Sequence, residues 1–306
     1  MSVIVTTYNV LSSAFSDKKT YPKCTATSLD PTMRLILLKR RLQEFIDGKH
    51  VICLQEVSQT WHAELFTFFS TREYAFICSS YGNRWSDYMG AAIAYPTEHY
   101  ILTETKILWI GNTIQDVKRC EDGKKRTLPH GEKIPSNIVI YAQMRPNTAI
   151  FLALSTKDAA GNVHDFVVAN YHSPAAFWHD TVKPVITLHN VRYIIEAQKF
   201  AAGKRLICAG DFNNPPVSAG YKIITGVEEG VRGDISYPED RHWLYDDATP
   251  ITWRNGIIPM HEVNSDLKTL VTSQTIRKNP QSEEPDKEVF TAMWIDYIFY
   301  SDGFSR

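Results

Sequence analysis

The segment at residues 206–216 reads LICAGDFNNPP and joins an apolar run to a polar turn. Its first part is typical of a buried strand, and Pro215 and Pro216 end the regular structure. Asp211 and Asn213 stand where the strand ends. A carboxylate there is costly to bury unless a cation or hydrogen-bond donors compensate its charge. Taken alone, the two residues fit a metal or catalytic site and an ordinary Asx-turn equally well.

Other apolar segments end in polar residues in the same way. Asn9 follows VIVTTY, Glu56 follows VICLQ, His172 follows FVVANY, and Asp296 interrupts WIDYIFY. Each of the first three has an ordinary alternative, namely a turn asparagine, a strand-end surface acid and a hydrogen-bonded rim histidine. Asp296 fits such an alternative least, because an acid inside so apolar a strand needs a partner. Side chains at the ends of buried strands are presented to a cleft by a rigid scaffold.

Short runs rich in β-branched residues recur along the chain and predict strands. They are SVIVTTYNV, HVICLQEV, GAAIAYP, HYILTETKILWI, NIVIYAQM, AIFLALST, DFVVANYH, RLICAGDF and WIDYIFYS. Apolar residues at helical spacing predict two long helices, over 31–47 and 182–202. Strands outnumber helices without strict alternation, which favours an α+β fold of two sheets flanked by helices. We see no repeat or linker and expect one domain over 1–306.

Composition and charge limit the possible partners. The chain has 306 residues, 43% hydrophobic and 22% charged, with a formal net charge of −1. No global positive field attracts it to nucleic acid, so an anionic substrate must be held locally. No apolar run approaches the roughly 18 residues of a membrane span. Five cysteines without zinc spacing, and no signal segment, favour an intracellular and cytoplasmic protein.

In order, the quoted segments read TYNVL, LQEV, ANYH, AGDFNNPP and WIDYIFYS. This series resembles the endonuclease/exonuclease/phosphatase superfamily, and the resemblance covers nearly the whole chain. It is most similar to the branch of the nocturnin and carbon-catabolite-repressor deadenylases and the 2′-phosphodiesterase. The resemblance implies a four-layer α/β sandwich of the DNase I type, with two mixed β-sheets packed face to face between helices. It also implies a phosphodiesterase that depends on Mg²⁺, with Mn²⁺ as a possible substitute.

The resemblance assigns a role to each strand-end residue. Glu56 is the main metal ligand, and Asn9 completes or orients its surroundings. Asp211 positions or deprotonates the attacking water, and Asn213 and His172 donate hydrogen bonds to the scissile phosphate. Asp296 orients a partner histidine.

The sequence departs from the family's pattern after Asp296. The partner histidine of the relatives lies in a Ser-Asp-His segment some way after the strand that contains Asp296, and by this comparison the sequence given lacks that segment and the family's last core strand. This sequence has Ser301 and Asp302 followed by Gly303, and it stops at Arg306. We therefore expect a further segment or a partner chain to cover the edge of the WIDYIFY strand and bring a histidine to Asp296. The nearby His242 and His261 better fit surface loops.

Substrate selection depends on aromatic side chains in the resembling branch, because a base stacked on such a ring is held without sequence specificity. Phe290, Tyr88 and Trp178 are the candidates for substrate binding, with Trp85 as a further loop aromatic. A basic loop at 118–126 is a second candidate, or an ordinary solvated loop. The leading hypothesis is a 3′-directed RNA nuclease of deadenylase type that binds single-stranded RNA and no membrane. The alternatives are a phosphatase or phosphodiesterase for a small or lipid phosphate, and an inactive relative that serves as a binding or assembly module.

Overall fold

A computed structural model describes residues 3–114, 125–127, 133–135, 138–176, 183–216, 218–226, 260–262, 273–278, 288–293 and 295–301. The strands in chain order are β1 Val5–Asn9, β2 Val51–Val57, β3 Tyr74–Cys78, β4 Gly90–Pro96, β5 Ile101–Trp109, β6 Lys125–Thr127, β7 Lys133–Pro135, β8 Thr148–Lys157, β9 Val163–His172, β10 Arg205–Asp211, β11 His261–Glu262, β12 Ser273–Lys278, β13 Glu288–Met293 and β14 Asp296–Tyr300. The helices are α1 Ala26–Leu29, α2 Pro31–Asp47, α3 His62–Ser70, α4 Ile138–Gln143, α5 Lys183–Ala201 and α6 Ala219–Thr225.

Two mixed sheets contain most of these strands. The first sheet has the order β1-β2-β4-β3, and the second has the order β11-β14-β10-β9-β8-β5. β1 and β2 are parallel, as are β9 and β10, while β14 runs antiparallel to β10. β6 pairs with β7 and β12 with β13 in separate two-stranded sheets.

Three clusters of buried side chains separate four layers. α2 and α3 pack on the outer face of the first sheet through residues such as Leu42, Leu54 and Phe69. The inner faces of the two sheets meet at Cys53, Ile93, Ile150, Val168 and Ala209. α5 covers the outer face of the second sheet, where Phe151, Tyr171, Tyr193 and Phe212 pack together. The predicted α+β sandwich of two sheets flanked by helices is therefore confirmed.

The two predicted long helices form where the sequence placed them. α2 begins after Asp30, whose Oδ1 accepts a hydrogen bond from the Met33 amide at 2.9 Å, and Pro31 occupies its first turn. α5 spans Lys183–Ala201, within the predicted 182–202. No helix among the described residues has the length and the apolar composition needed to cross a lipid bilayer.

The run NIVIYAQM, predicted as a strand, instead contains helix α4. Its β-branched residues favour a strand only weakly, and tertiary contacts override that preference. Helical geometry buries Ala142 and directs its carbonyl oxygen to His189 Nε2 of α5 at 2.8 Å. The short helix therefore packs on α5 and does not extend a sheet.

The outer edge of β14 is partly covered by this chain itself. β11 pairs with it antiparallel, so that His261 lies opposite Tyr300 and Glu262 opposite Phe299. Asp296 lies at the other end of β14, where no β11 residue pairs with it among the described residues. The side chain of His261 and all of His242 lie outside the described residues, and so do residues 302–306. The proposed histidine partner of Asp296 stays a prediction.

Candidate active site

Strand register in the second sheet places three predicted site residues side by side. Asp211 at the end of β10 lies opposite His172 of β9 and opposite Asp296 of β14. Directly opposed residues of neighbouring strands project from the same face of a sheet. These three side chains, separated by up to 124 residues in sequence, therefore form one row.

The face of that row follows from the alternation of side chains along each strand. Val168 and Ala209 pack in the core between the two sheets, whereas Val167 and Cys208 pack toward α5. His172 lies four residues after Val168 and Asp211 lies two residues after Ala209, so both side chains project from the inner face. The row thus lies at the open end of the gap between the sheets.

Glu56 reaches this row from the first sheet because of an irregularity in β2. The β2–β4 pairing passes from Leu54 opposite Ala92 to Val57 opposite Gly90, so β2 has one extra residue there. Glu56 has a φ of +58°, in the left-handed region that a residue with a side chain rarely adopts. Regular alternation would direct it outward with Ile52 and Leu54. The bulge directs it instead toward the second sheet.

Four predicted site residues meet at a single point. Asn9 Nδ2 donates to Glu56 Oε1 at 2.9 Å and to Asp211 Oδ2 at 3.0 Å. His172 Nε2 lies 3.9 Å from each of these same two oxygens. His172 and Asp211 are each only 4% exposed. The two carboxylates therefore share a largely buried site with one amide and one imidazole.

The orientation of Asn9 is fixed by its own backbone turn. Its Oδ1 accepts a hydrogen bond from the Leu11 amide at 2.9 Å, which leaves Nδ2 facing the carboxylates. Arg34 holds the same turn by donating to the carbonyl oxygens of Val10 and Leu11 at 2.7 and 2.6 Å. In this geometry Asn9 orients the two carboxylates. Its Oδ1 keeps a second lone pair beside the Leu11 hydrogen bond, so the predicted contact of Asn9 with a metal ion stays a prediction.

The turn after β10 is held by hydrogen bonds from several elements. The Asn213 amide donates to Asp211 Oδ1 at 2.9 Å, and the Asn213 side chain donates to the Ser173 carbonyl at 2.8 Å. Asn190 of α5 and Tyr297 of β14 donate to the carbonyl oxygens of Phe212 and Asn214. One Asn213 Nδ2 hydrogen is thus engaged in the fold, which leaves the second for the predicted contact to phosphate.

Burial raises the pKa of the Asp211 carboxyl above its usual range. The His172 ring and the hydrogen bonds from Asn9 and the Asn213 amide oppose this effect, while the charge of Glu56 adds to it. The site therefore holds negative charge against a desolvation cost. A bound cation would relieve that cost.

The donor set fits Mg²⁺. No group of three His, Cys, Asp or Glu side chains in the described parts of the chain has the spacing of a metal site. Mg²⁺ does not need such a group, because it commonly takes one or two carboxylates and keeps water as its other ligands. Glu56 and Asp211 provide two hard carboxylates at one point. They would hold the ion, and bound Mg²⁺ would neutralise charge on a non-bridging phosphate oxygen.

Two features of the site were missed by the sequence analysis. Asn170 of β9 donates through Nδ2 to the carbonyl oxygens of Leu54 and Ala92, each at 2.8 Å, and accepts from Gln55 Nε2 at 2.7 Å. This buried network joins the two sheets beside the β2 bulge. Tyr81 contacts His172 Nδ1 at 2.5 Å. The sequence did carry a signal for the Asn170 network, because Gln55 and Asn170 are polar residues in the otherwise apolar runs VICLQ and FVVANY.

The structure describes few of the predicted substrate-binding aromatics. Tyr88 is 46% exposed and follows the single turn Arg84–Ser86 between β3 and β4. Phe290 belongs to β13, but its side chain, like all of Trp178 and most of the basic loop 118–126, lies outside the described residues. Of Phe290, Tyr88 and Trp178, Tyr88 alone has its side chain among the described residues.

The sequence matches the endonuclease/exonuclease/phosphatase family over residues 6–306. No curated protein sequence is similar enough to match it. Similar solved structures include ANGEL2, a 2′,3′-cyclic phosphatase in complex with adenosine-2′,3′-vanadate, with a TM-score of 0.66 and 20% identity over 97% of this chain and 83% of that one. The human nocturnin catalytic domain with bound sulfate has a TM-score of 0.52 and 16% identity over 96% of this chain and 81% of that one.

A mannosyl-6-phosphatase from Bacteroides thetaiotaomicron has a TM-score of 0.55 and 14% identity, over 99% of this chain and 86% of that one. At such identities these likenesses establish the fold. They include both ANGEL2 and nocturnin, in agreement with the branch that the sequence motifs indicated. The family match covers nearly every residue of the chain. The chain therefore belongs to the endonuclease/exonuclease/phosphatase family, whose members are generally phosphoester hydrolases.

Proposed function

We propose that the chain is a Mg²⁺-dependent phosphodiesterase that shortens single-stranded RNA from its 3′ end, as the deadenylases do. The observation that carries the proposal is the meeting of Glu56, Asp211 and His172 around Asn9 at the mouth between the sheets. It brings two carboxylates, an amide donor and an imidazole to one point. A family member without chemistry would have no reason to pay the desolvation cost of this arrangement.

The residues of the chain divide the reaction between them. Asp211 accepts a hydrogen bond from the attacking water and takes up its proton as the new bond to phosphorus forms. His172 Nε2 and the second hydrogen of Asn213 Nδ2 donate to the phosphate oxygens, where negative charge increases. Glu56 and Asp211 together would hold the metal ion, which would neutralise charge on a phosphate oxygen. As the new bond to phosphorus forms, the bond from phosphorus to the leaving sugar oxygen breaks, and the sugar oxygen takes a proton from solvent water.

An exposed aromatic surface next to the site supports a nucleotide substrate. Trp85 is 73% exposed, and the Arg84 guanidinium lies 4.7 Å from the centre of its ring. The neighbouring Ser86 carbonyl accepts from Ser12 Oγ at 3.0 Å, and the Ser12 amide donates to Glu56 Oε2 at 3.1 Å. The turn that carries Trp85 is thereby joined to the metal-binding carboxylate. A planar base next to the scissile phosphate could stack there.

Backbone strain in the same turn also supports a functional role. Asp87 and Tyr88 have φ values of +48° and +43°, which are unfavourable for residues with side chains. Hydrogen bonds hold them there, since Asp87 Oδ2 accepts from Thr60 Oγ1 at 2.5 Å and from Ser13 Oγ at 3.1 Å. These hydrogen bonds hold the turn that carries Trp85 and Tyr88 in place before a substrate arrives.

A substrate panel tests the proposed function. The purified chain is incubated with 5′-labelled RNA ending in poly(A) or in mixed sequence, with RNA ending in a 2′,3′-cyclic phosphate, and with mannose 6-phosphate. We expect Mg²⁺-dependent products that shorten from the 3′ end, and complete loss of activity in EDTA that Mg²⁺ or Mn²⁺ restores. Release of phosphate from the sugar alone would indicate a small-molecule phosphatase. No turnover of any substrate would indicate a binding module.

Replacing Trp85 by Ala should raise the KM for RNA by about 5–150-fold with little change in kcat, because stacking contributes roughly 1–3 kcal/mol per base. Phe66→Ala is the matched control, since Phe66 is an exposed aromatic residue on α3, with 57% exposure. Initial rates of RNA cleavage over a range of RNA concentrations give KM and kcat for both variants and the parent. Equal KM values for Trp85→Ala and the parent would remove Trp85 from the substrate site.

A further inference from the structure

The hydroxyl of Tyr81 contacts the ring of His172 from the side opposite the carboxylates. Its oxygen lies 2.5 Å from His172 Nδ1, and the two rings meet edge to face at 64° with centroids 6.1 Å apart. Both side chains are buried. Tyr81 enters from the β3–β4 connection, so its contact with β9 joins the two sheets at the site.

Both partners are held by their backbones. The Tyr81 and Gly82 amides donate to the Met89 carbonyl at 3.1 and 3.0 Å. Asn147 Nδ2 donates to the His172 carbonyl at 2.8 Å. The contact is therefore between two fixed side chains and is not a chance encounter of mobile groups.

The electrostatics of the other ring nitrogen decide which atom carries the proton. His172 Nε2 faces Glu56 Oε1 and Asp211 Oδ2 at 3.9 Å each. A lone pair on Nε2 would be repelled by two carboxylate oxygens, whereas an N–H there is attracted to them. In the neutral ring the proton thus belongs on Nε2, and Nδ1 is an acceptor.

Tyr81 is suited to be the donor that this tautomer needs. Burial raises the pKa of its hydroxyl well above the usual value, and the negative charges of Glu56 and Asp211 act in the same direction. The phenol therefore stays protonated. A hydrogen bond from the Tyr81 hydroxyl to His172 Nδ1 stabilises the tautomer with hydrogen on Nε2. It also opposes a flip of the imidazole ring.

We propose that Tyr81 is a positioning residue that selects the Nε2–H tautomer of His172 and aims this N–H at the site of phosphate binding. The assignment of the tautomer stands on the geometry alone. Its consequence for turnover rests on the proposed function, and the test separates the two.

The test measures the tautomer directly. Protein labelled with ¹⁵N in its histidine rings is studied by NMR without metal at neutral pH, and the His172 signals are identified by their absence in His172→Gln. We expect the parent to show the Nε2–H form at this residue. In Tyr81→Phe we expect a mixture of both tautomers, because the donor to Nδ1 is gone while the ring volume is kept.

Tyr171→Phe is the matched control, because Tyr171 is also buried and its hydroxyl lies 2.6 Å from His189 Nδ1. It should change the His189 signals and leave those of His172 as they are. An Nδ1–H tautomer in the parent would overturn the inference even if Tyr81→Phe failed to fold. An unchanged Nε2–H form in folded Tyr81→Phe would overturn it as well.

Kinetics on the substrate found by the panel give the second readout. We expect kcat to fall by about 10–100-fold in Tyr81→Phe with KM unchanged, the range seen when a partner that orients a metal-bound histidine is removed. A change of tautomer without a change of kcat would keep the structural assignment and exclude the role of His172 in turnover. No hydrolysis by the parent would count against the proposed function and not against the tautomer.

Discussion

Replacing Asp211 by Asn or Ala should reduce kcat by on the order of 10²–10⁴-fold, the contribution of a general acid or base. The carboxylate is held in place by Asn9 Nδ2 and by the Asn213 amide, at 3.0 and 2.9 Å, so it has a fixed direction toward the water that it would deprotonate. Asn keeps the size and the acceptor for the Asn213 amide. The Asn amide, however, cannot take up a proton from water as the carboxylate does. The two variants should therefore be similarly inactive.

The stability of the Asp211 variants should change little. The carboxylate is buried beside Glu56, and that burial raises its pKa and disfavours its charged form. Removing the charge loses hydrogen bonds but also relieves desolvation and repulsion, so the two effects oppose each other. Asp165→Asn is the control, since Asp165 lies exposed near the other end of the neighbouring strand β9.

Single-turnover cleavage and chemical denaturation measure the two properties of these variants separately. Cleavage by Asp211→Ala at the rate of the parent would show that this carboxylate has no part in the reaction. A large loss of stability would instead mean that the lowered activity reports a damaged fold.

The second large effect is expected at Glu56, which we assign as the main metal ligand. Glu56→Gln should weaken Mg²⁺ binding by more than about 10–100-fold, the range for residues that only support a ligand. Activity at a fixed, limiting Mg²⁺ concentration should fall by a similar factor or more. Titration calorimetry with Mg²⁺ or Mn²⁺ measures the affinity without any substrate. An unchanged metal affinity would place the ion elsewhere.

The substitution Glu56→Gly distinguishes the effect of Glu56 on metal binding from its effect on the free energy of unfolding. The left-handed conformation at Glu56 costs roughly 1–2 kcal/mol for a residue with a Cβ atom, and glycine adopts it freely. Glycine also removes a charge from the crowded pocket. Against these gains, Asn9 and the Ser12 amide lose their acceptor, so the opposing effects should leave the variant about as stable as the parent while it loses metal binding.

Glu73→Gly is the matched control for this substitution, because Glu73 is exposed and has a nearly identical φ of +59°. It should change the free energy of unfolding through the same backbone effect and leave metal affinity and activity unchanged. Denaturation curves of the two glycine variants and the parent measure the free energies of unfolding to be compared. A strong destabilisation by Glu56→Gly alone would mean that Glu56 serves the fold.

The sequence by itself determined the layers of this protein. Runs of β-branched residues, whose side chains alternate between the two faces of a strand, predicted eight of the ten strands in the two sheets but not β3 or β11. Helical spacing together with Asp30 and Pro31 predicted the bounds of α2. These are local effects, because each depends on neighbours within a few positions along the chain. The same alternation also predicts the inner-face positions of His172 and Asp211. The strand prediction was wrong for NIVIYAQM, because this segment has only a weak preference for a strand and its contact with α5 favours a helix.

Only the tertiary structure decided the direction of Glu56 and the partners of His172. Period-two alternation would send Glu56 to the helix side with Leu54, but a bulge and a left-handed backbone turn it inward. That conformation is unfavourable locally and is maintained by bonds to Asn9 and Ser12 from another strand and loop. Tyr81 likewise lies 91 residues from His172 in sequence. No local pattern encodes such contacts, because their energy exists only once both sheets have packed.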